Sequence, residues 1–160
     1  MSDSKEKLTL AVEIGDALLR SGGEIYRVED TILHILDAFG LEDFDVYVLS
    51  NGIFASANED KEDSCSIIRH VPLSDVHLGK IAALNQLSRE ICDHSCSLDE
   101  AWERLRECRR LPAPKPWIQG LSCGIGCACF CYIFGGTFID AMCALVLGIF
   151  LQYMRMDQEK

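Results

Sequence analysis

Between residues 117 and 154 the chain carries one charged residue, Asp140, in 38 positions. This stretch constrains the fold more than any other, because uncharged apolar runs beyond about 18 residues are characteristic of membrane spans. As a single helix it would measure about 57 Å, nearly twice the ~30 Å hydrocarbon core of a bilayer. Two short helices, 117–134 and 137–154, hinged at Gly135-Gly136, fit that thickness. Arg104, Arg106, Arg109, Arg110 and Lys115 precede this hairpin, Arg155 and Lys160 follow it, and its turn has no Lys or Arg. The positive-inside rule then predicts that both ends lie in the cytoplasm, with 155–160 a cytoplasmic tail expected to continue in the natural protein. A buried hairpin in a soluble core is the competing possibility.

The leading 116 residues are different in kind. They hold 13 Lys/Arg against 22 Asp/Glu, a net charge of −9. That balance excludes nucleic acid, which calls for a basic stripe, and disfavours docking onto anionic lipid by charge alone. The first residues are polar, and the helical segment after them contains Glu13, Asp16 and Arg20, so no apolar signal core is expected there. An acidic domain on the side of synthesis, followed by a membrane anchor, is the predicted layout. Nine cysteines are scattered through both parts, and an odd number so placed reads as reduced small hydrophobes. Cys92, His94 and Cys96 lie close together but lack a second Cys/His pair at zinc spacing, so no metal and no cofactor is expected.

Hydrophobic periodicity orders the acidic domain as ααβββαα. Leu8, Ala11, Val12, Gly15, Leu18 and Leu19 predict a first helix over 6–20. Ser21 and Glu24 have the spacing of a capping box, predicting that a second helix starts there, with Ile25, Val28, Ile32, Ile35 and Phe39 inward and Gly40 as its stop. Phe44, Val46 and Val48 then alternate with polar neighbours, and Asn51-Gly52 predicts a tight hairpin with positive φ at both turn positions. A return strand over 53–58, an acidic solvated loop and a third strand over 65–71 follow. A third helix is expected from Ser74 to Cys92, and a second capping box, Ser97 with Glu100, predicts a fourth over 98–111. The expected fold is an α+β domain over 1–111, with helices on one face of a small antiparallel sheet. A stiff Pro-rich linker, 112–116, leads to the transmembrane hairpin, where Trp117 is placed as an interfacial aromatic.

Several residues invite a role. Gly120, Gly124 and Ala128 recur every fourth position, a small-residue row that lets a further helix or a partner subunit pack closely; chance in a Gly-rich helix is the alternative. Asp140 is either a transport or coupling carboxylate at membrane depth, or a cap for the second span. Arg27 is spaced to pair with Glu24 or Asp30, while Glu29 projects off that row. These four form either a capped helix start with surface ion pairs or a solute-binding polar patch, and Arg69 on the third strand is a further candidate anion ligand.

The run Ser21-Gly22-Gly23-Glu24-Ile25-Tyr26-Arg27-Val28-Glu29-Asp30 resembles the opening signature of the threonine/serine exporter family. Ser50-Asn51-Gly52-Ile53, Leu84-Asn85-Gln86-Leu87-Ser88-Arg89, Phe134-Gly135-Gly136 and Asp140-Ala141 are similar to four later landmarks of that family, in the same order. The resemblance implies a protein of the bacterial cytoplasmic membrane with its N-terminal domain in the cytoplasm. It would export threonine and serine on the proton gradient or, in related two-subunit members, dicarboxylates such as succinate. Two helices cannot enclose a solute path, so further helices of the same protein or a partner subunit are expected, with homo-oligomerisation left open. A membrane-anchored enzyme finds no support in a nucleophile elbow, HExxH or phosphate loop, and His34, His70, His77 and His94 have no partner set by sequence. A membrane-tethered regulatory or ligand-binding module is the remaining alternative.

Overall fold

The computed structural model describes residues 3–57, 64–72, 76–112 and 114–158. They fall into two compact units, Met1–Leu111 and Pro112–Lys160. The first contains α1 (Asp3–Arg20), α2 (Ile25–Ala38), β1 (Phe44–Leu49), β2 (Gly52–Ala57), β3 (Cys65–His70), α3 (Leu78–Cys92) and α4 (Leu98–Arg109). The expected acidic loop over 58–63 and the expected helix start at Ser74 lie outside the described residues.

α1 is the hub of this unit. Leu8, Leu10, Ala11, Val12, Ile14, Ala17 and Leu18 are all buried, and the helix packs against α2, β2, β3, α3 and α4. A helix apolar on most of its circumference belongs in the interior. The sheet runs β1-β2-β3, antiparallel throughout. Its register pairs Val48 with Ile53 and Ile53 with Arg69, so these three share the face turned to the helices. The opposite face carries the exposed row Tyr47, Phe54 and Ile68.

Two local expectations are corrected. Ser21 does not cap α2: its hydroxyl donates back to the Ala17 carbonyl at 2.7 Å, and Glu24 occupies the N-cap without a side-chain cap bond. The cause is the way α1 ends. Gly22 adopts φ 84° and the Gly23 N–H returns to the Leu18 carbonyl at 2.9 Å, so Ser21 is used by the helix it closes. The hairpin forms between the expected strands, but its turn residues are Ser50 and Asn51, and neither Asn51 nor Gly52 has positive φ. Gly52 instead enters the ladder opposite Leu49. That register sets Tyr47 opposite Phe54 and Val48 opposite Ile53, whereas an Asn51-Gly52 turn would have set them opposite Ser56 and Ala55. Larger cross-strand partners outweigh the turn preference. The second capping box forms as spaced, with Ser97 N–H donating to Glu100 at 2.8 Å. α3 begins at Leu78, where the His77 ring accepts from the Lys80 N–H at 3.1 Å.

The second unit is a helical hairpin, α5 (Pro116–Ile133) and α6 (Phe138–Gln158). α5 starts one residue before the expected 117, since Pro116 suits the first helical position. α6 runs past the expected 154, where no breaker intervenes. Their 18 and 21 residues correspond to about 27 and 32 Å. The turn closes on Gly135, at φ 87°. A side chain at Gly124 would sit 2.6 Å from Ile149 Cγ1 and 2.8 Å from the Leu145 carbonyl, and one at Gly148 would sit 3.0 Å from Gly124 Cα. Gly120 lies against Tyr153. Gly120 and Gly124 therefore pack against α6 within the hairpin.

Replacing Gly22 by Ala strains a left-handed backbone position and drives a methyl to 2.7 Å from Val76. It is expected to lower stability by about 1–2 kcal/mol, read by thermal unfolding of the chain in detergent. Gly124→Leu is expected to push α5 and α6 apart, read as a longer distance between spin labels placed on the two helices.

Candidate functional site

The burial of α1 creates an electrostatic problem that the first unit solves at one place. Asp16 is 5% exposed and the Glu13 side chain 15%, one helical turn apart on a helix otherwise clad in apolar contacts. Both are met by cations from three elements. Arg69, carried to the helix-facing side of β3 by the sheet register, binds one Glu13 carboxylate oxygen through Nη2. Arg109, in the last turn of α4, binds the other and also donates to the Glu13 carbonyl at 3.0 Å. Arg20 donates through Nε to Asp16 at 2.8 Å, and Arg109 approaches the same oxygen at 3.6 Å.

These groups line a cleft of about 390 Å³, together with Ala17, Ser21, Lys80, Leu84 and Cys108. The carboxylates form its floor, while the Arg20, Arg69 and Arg109 side chains stand 42, 39 and 40% exposed. Four cations face two carboxylates, a local surplus of two positive charges on a chain of net charge −10. Lys80 makes no ion pair among the described residues. Asp16 Oδ1 and Arg69 Nε are buried without hydrogen-bond partners among the described residues. Chemically the arrangement is suited to holding an anion, with the floor carboxylates orienting the guanidinium groups. It is not suited to thiol chemistry, because burial pushes the Cys108 thiol up and keeps it protonated. Burial likewise raises Cys92 and Cys96. No group of three or more His, Cys, Asp or Glu is placed to hold a metal among the described residues.

The residues singled out in the sequence are dispersed. Glu24 and Arg27 pair at 3.2 Å on the exposed start of α2 and line a second, smaller cleft with Gly22, Gly23 and Asn85. Asp30 meets His34 at 3.5 Å rather than Arg27. Glu29 accepts the Val48 N–H at 3.1 Å and so ties α2 to β1. Arg69 alone of that set reaches the cationic cleft. Asp140 accepts from the Thr137 N–H at 2.9 Å and from the Thr137 hydroxyl at 2.7 Å, closing the start of α6. Glu13, Asp16, Arg20, Lys80 and Arg109 had not been singled out. The available signal was charge inside the apolar run Val12–Leu19 of a helix with little solvent face.

In the second unit, Ile118, Leu121, Ile125, Phe130, Ile133, Phe138, Ile139, Val146, Leu147, Phe150 and Leu151 are exposed. Both helices are long and apolar enough to cross a membrane, with only 11 and 6% of the spanning residues buried. A polar folded unit joined to such a hairpin defines a membrane protein. The profile of the family described as "Putative threonine/serine exporter" (ThrE) matches residues 9–159, and the chain belongs to that family. No curated protein and no solved structure matches it in the same comparisons.

Glu13 is the shared acceptor for β3 and α4, so Glu13→Gln takes the carboxylate from Arg69 and leaves Arg109, among the described carboxylates, only the Asp16 oxygen at 3.6 Å. A loss of about 1.5–3 kcal/mol is expected, at the lower end because the arginines are partly hydrated, measured by denaturant unfolding.

Proposed function

We propose that the chain is a component of a bacterial inner-membrane exporter of small polar metabolites, with threonine and serine as solutes and the proton gradient as the driving force. The observation that carries this reading is the family match over 9–159, which takes in both the polar unit and the apolar hairpin. The exposed apolar side chains of α5 and α6 are explained if they face lipid and further transmembrane helices, from the same protein or a partner subunit. With Lys and Arg at both ends of the hairpin and none at its turn, the first unit lies in the cytoplasm. The fold boundaries then have functional meaning: 1–111 is a cytoplasmic domain, 112–116 a linker and 117–154 the membrane hairpin.

Asp140 serves as the cap of α6, and its carboxylate is also the ionisable group best placed for proton coupling. Asp140→Asn separates the two roles, since the amide oxygen still accepts from Thr137 while the titratable group is gone. Cells preloaded with labelled threonine, serine or succinate are the assay. Export of threonine or serine is expected from the complete form, meaning the chain with its downstream sequence or partner, and at least tenfold slower export from its Asp140→Asn variant. Unchanged efflux with and without the complete form excludes these solutes. Export of succinate alone reassigns the protein to dicarboxylates. Full rate in the Asp140→Asn variant leaves Asp140 only its capping role.

A further inference from the structure

We propose that the cationic cleft between α1, β3, α3 and α4, in the polar unit, is a binding site for a small dianionic oxyacid, a dicarboxylate or a phosphate. The argument is one of charge, layering and reach. The two carboxylates are at the floor, held by Arg20, Arg69 and Arg109, and present little surface of their own. What a ligand meets is the rim, made of three guanidinium groups and the Lys80 ammonium. Paired one to one, the floor cancels two of the four cations, and two positive charges remain for the occupant.

A structural salt-bridge cluster does not require that surplus. Two arginines would neutralise Glu13 and Asp16, yet Lys80 is supplied in addition from a different helix and has no carboxylate partner among the described residues. Among the described residues, Arg69 uses Nη2 on Glu13 and leaves its buried Nε unmet, while Asp16 Oδ1 is unmet on the floor. The cluster's own pairing is thus incomplete on both sides, and the case for an anion rests on the charge surplus at the rim. The cleft volume, about 390 Å³, is ample for phosphate or a four-carbon dicarboxylate and too small to enclose a peptide or an oligonucleotide. A zwitterionic amino acid matches the site poorly, because its ammonium would face the same cationic rim as its carboxylate. The site therefore discriminates by net charge, and it selects a different ligand from the neutral solutes proposed for export. Because the cations come from α1, β3, α3 and α4, an anion held among them links four elements and stiffens the unit around it.

The test is binding to the full chain purified in a nonionic detergent at low ionic strength, by isothermal titration with succinate, inorganic phosphate and L-threonine in turn. Saturable one-to-one binding of succinate or phosphate is expected, with threonine at least tenfold weaker; which dianion binds identifies the carboxylate or the phosphate class. Lys80→Gln removes surplus charge without touching an ion pair, and is expected to weaken the dianion at least tenfold while leaving the unliganded melting temperature unchanged. Lys80→Met is a second neutral replacement should the first fold poorly, and Lys80→Arg should retain binding. Raising the salt should weaken binding in the native chain more than in the neutral variants. Absence of saturable dianion binding, equal affinity in the Lys80 variants, or threonine binding as tightly as succinate would overturn the proposal. The efflux assay and this titration are independent, so failure of either leaves the other standing.

Discussion

The first unit depends on the burial of α1. From Leu8 onward this helix, in contact with three other helices and two strands, has little solvent face on which to place a charge, yet it carries Glu13 and Asp16 there. Carboxylates in such a position are tolerable only when paired and hydrogen-bonded, because removing a partner strands a desolvated charge. The pairing draws Arg69 from β3 and Arg109 from α4 to the same few ångströms of α1. One electrostatic requirement thus ties the sheet edge and the last helix of the unit to its centre, alongside the apolar core of Leu8, Ile14, Ile32, Ile53, Leu87 and Leu105.

The membrane hairpin answers to a different constraint. Lipid offers apolar groups no advantage in leaving it for a protein interior, so close backbone approach has to hold the two helices together. Gly124 and Gly148 supply it, with Gly120 receiving the Tyr153 ring and Gln152 donating to Gln119 at 3.4 Å across the same interface. The rest of the described surface of α5 and α6 is mostly apolar, which is what lipid or further transmembrane helices require. Both units use the absence or neutralisation of a side-chain feature to bring elements together: a missing Cβ in the hairpin, a cancelled charge in the polar unit.

Much of the secondary structure was legible from local pattern. The order ααβββαα, the Gly40 stop, the Ser97–Glu100 cap and the Gly135 turn depend on residues within a few positions of each other, and each formed. The misjudged features were those where a local signal competed with a longer-range one. Ser21 and Glu24 have capping spacing, but the α1 terminus uses the Ser21 hydroxyl first. Asn51-Gly52 favours a tight turn, but the Tyr47–Phe54 and Val48–Ile53 pairs draw Gly52 into the ladder. The candidate site was mostly illegible for the same reason. Glu13 is separated from Arg69 and Arg109 by 56 and 96 positions, distances over which spacing rules are silent.

The sequence by itself determined that a polar α+β unit precedes two apolar helices, because charge content and hydrophobic period are local properties that survive any arrangement in space. It also carried the family, through five short landmarks in order. The tertiary structure alone decided that α1 is central, that Arg69 turns inward, that the Gly120–Gly124 row faces α6, and that four cations and two carboxylates share one cleft. Those outcomes depend on which elements pack together, and packing is settled by the burial of the whole core rather than by any segment of it.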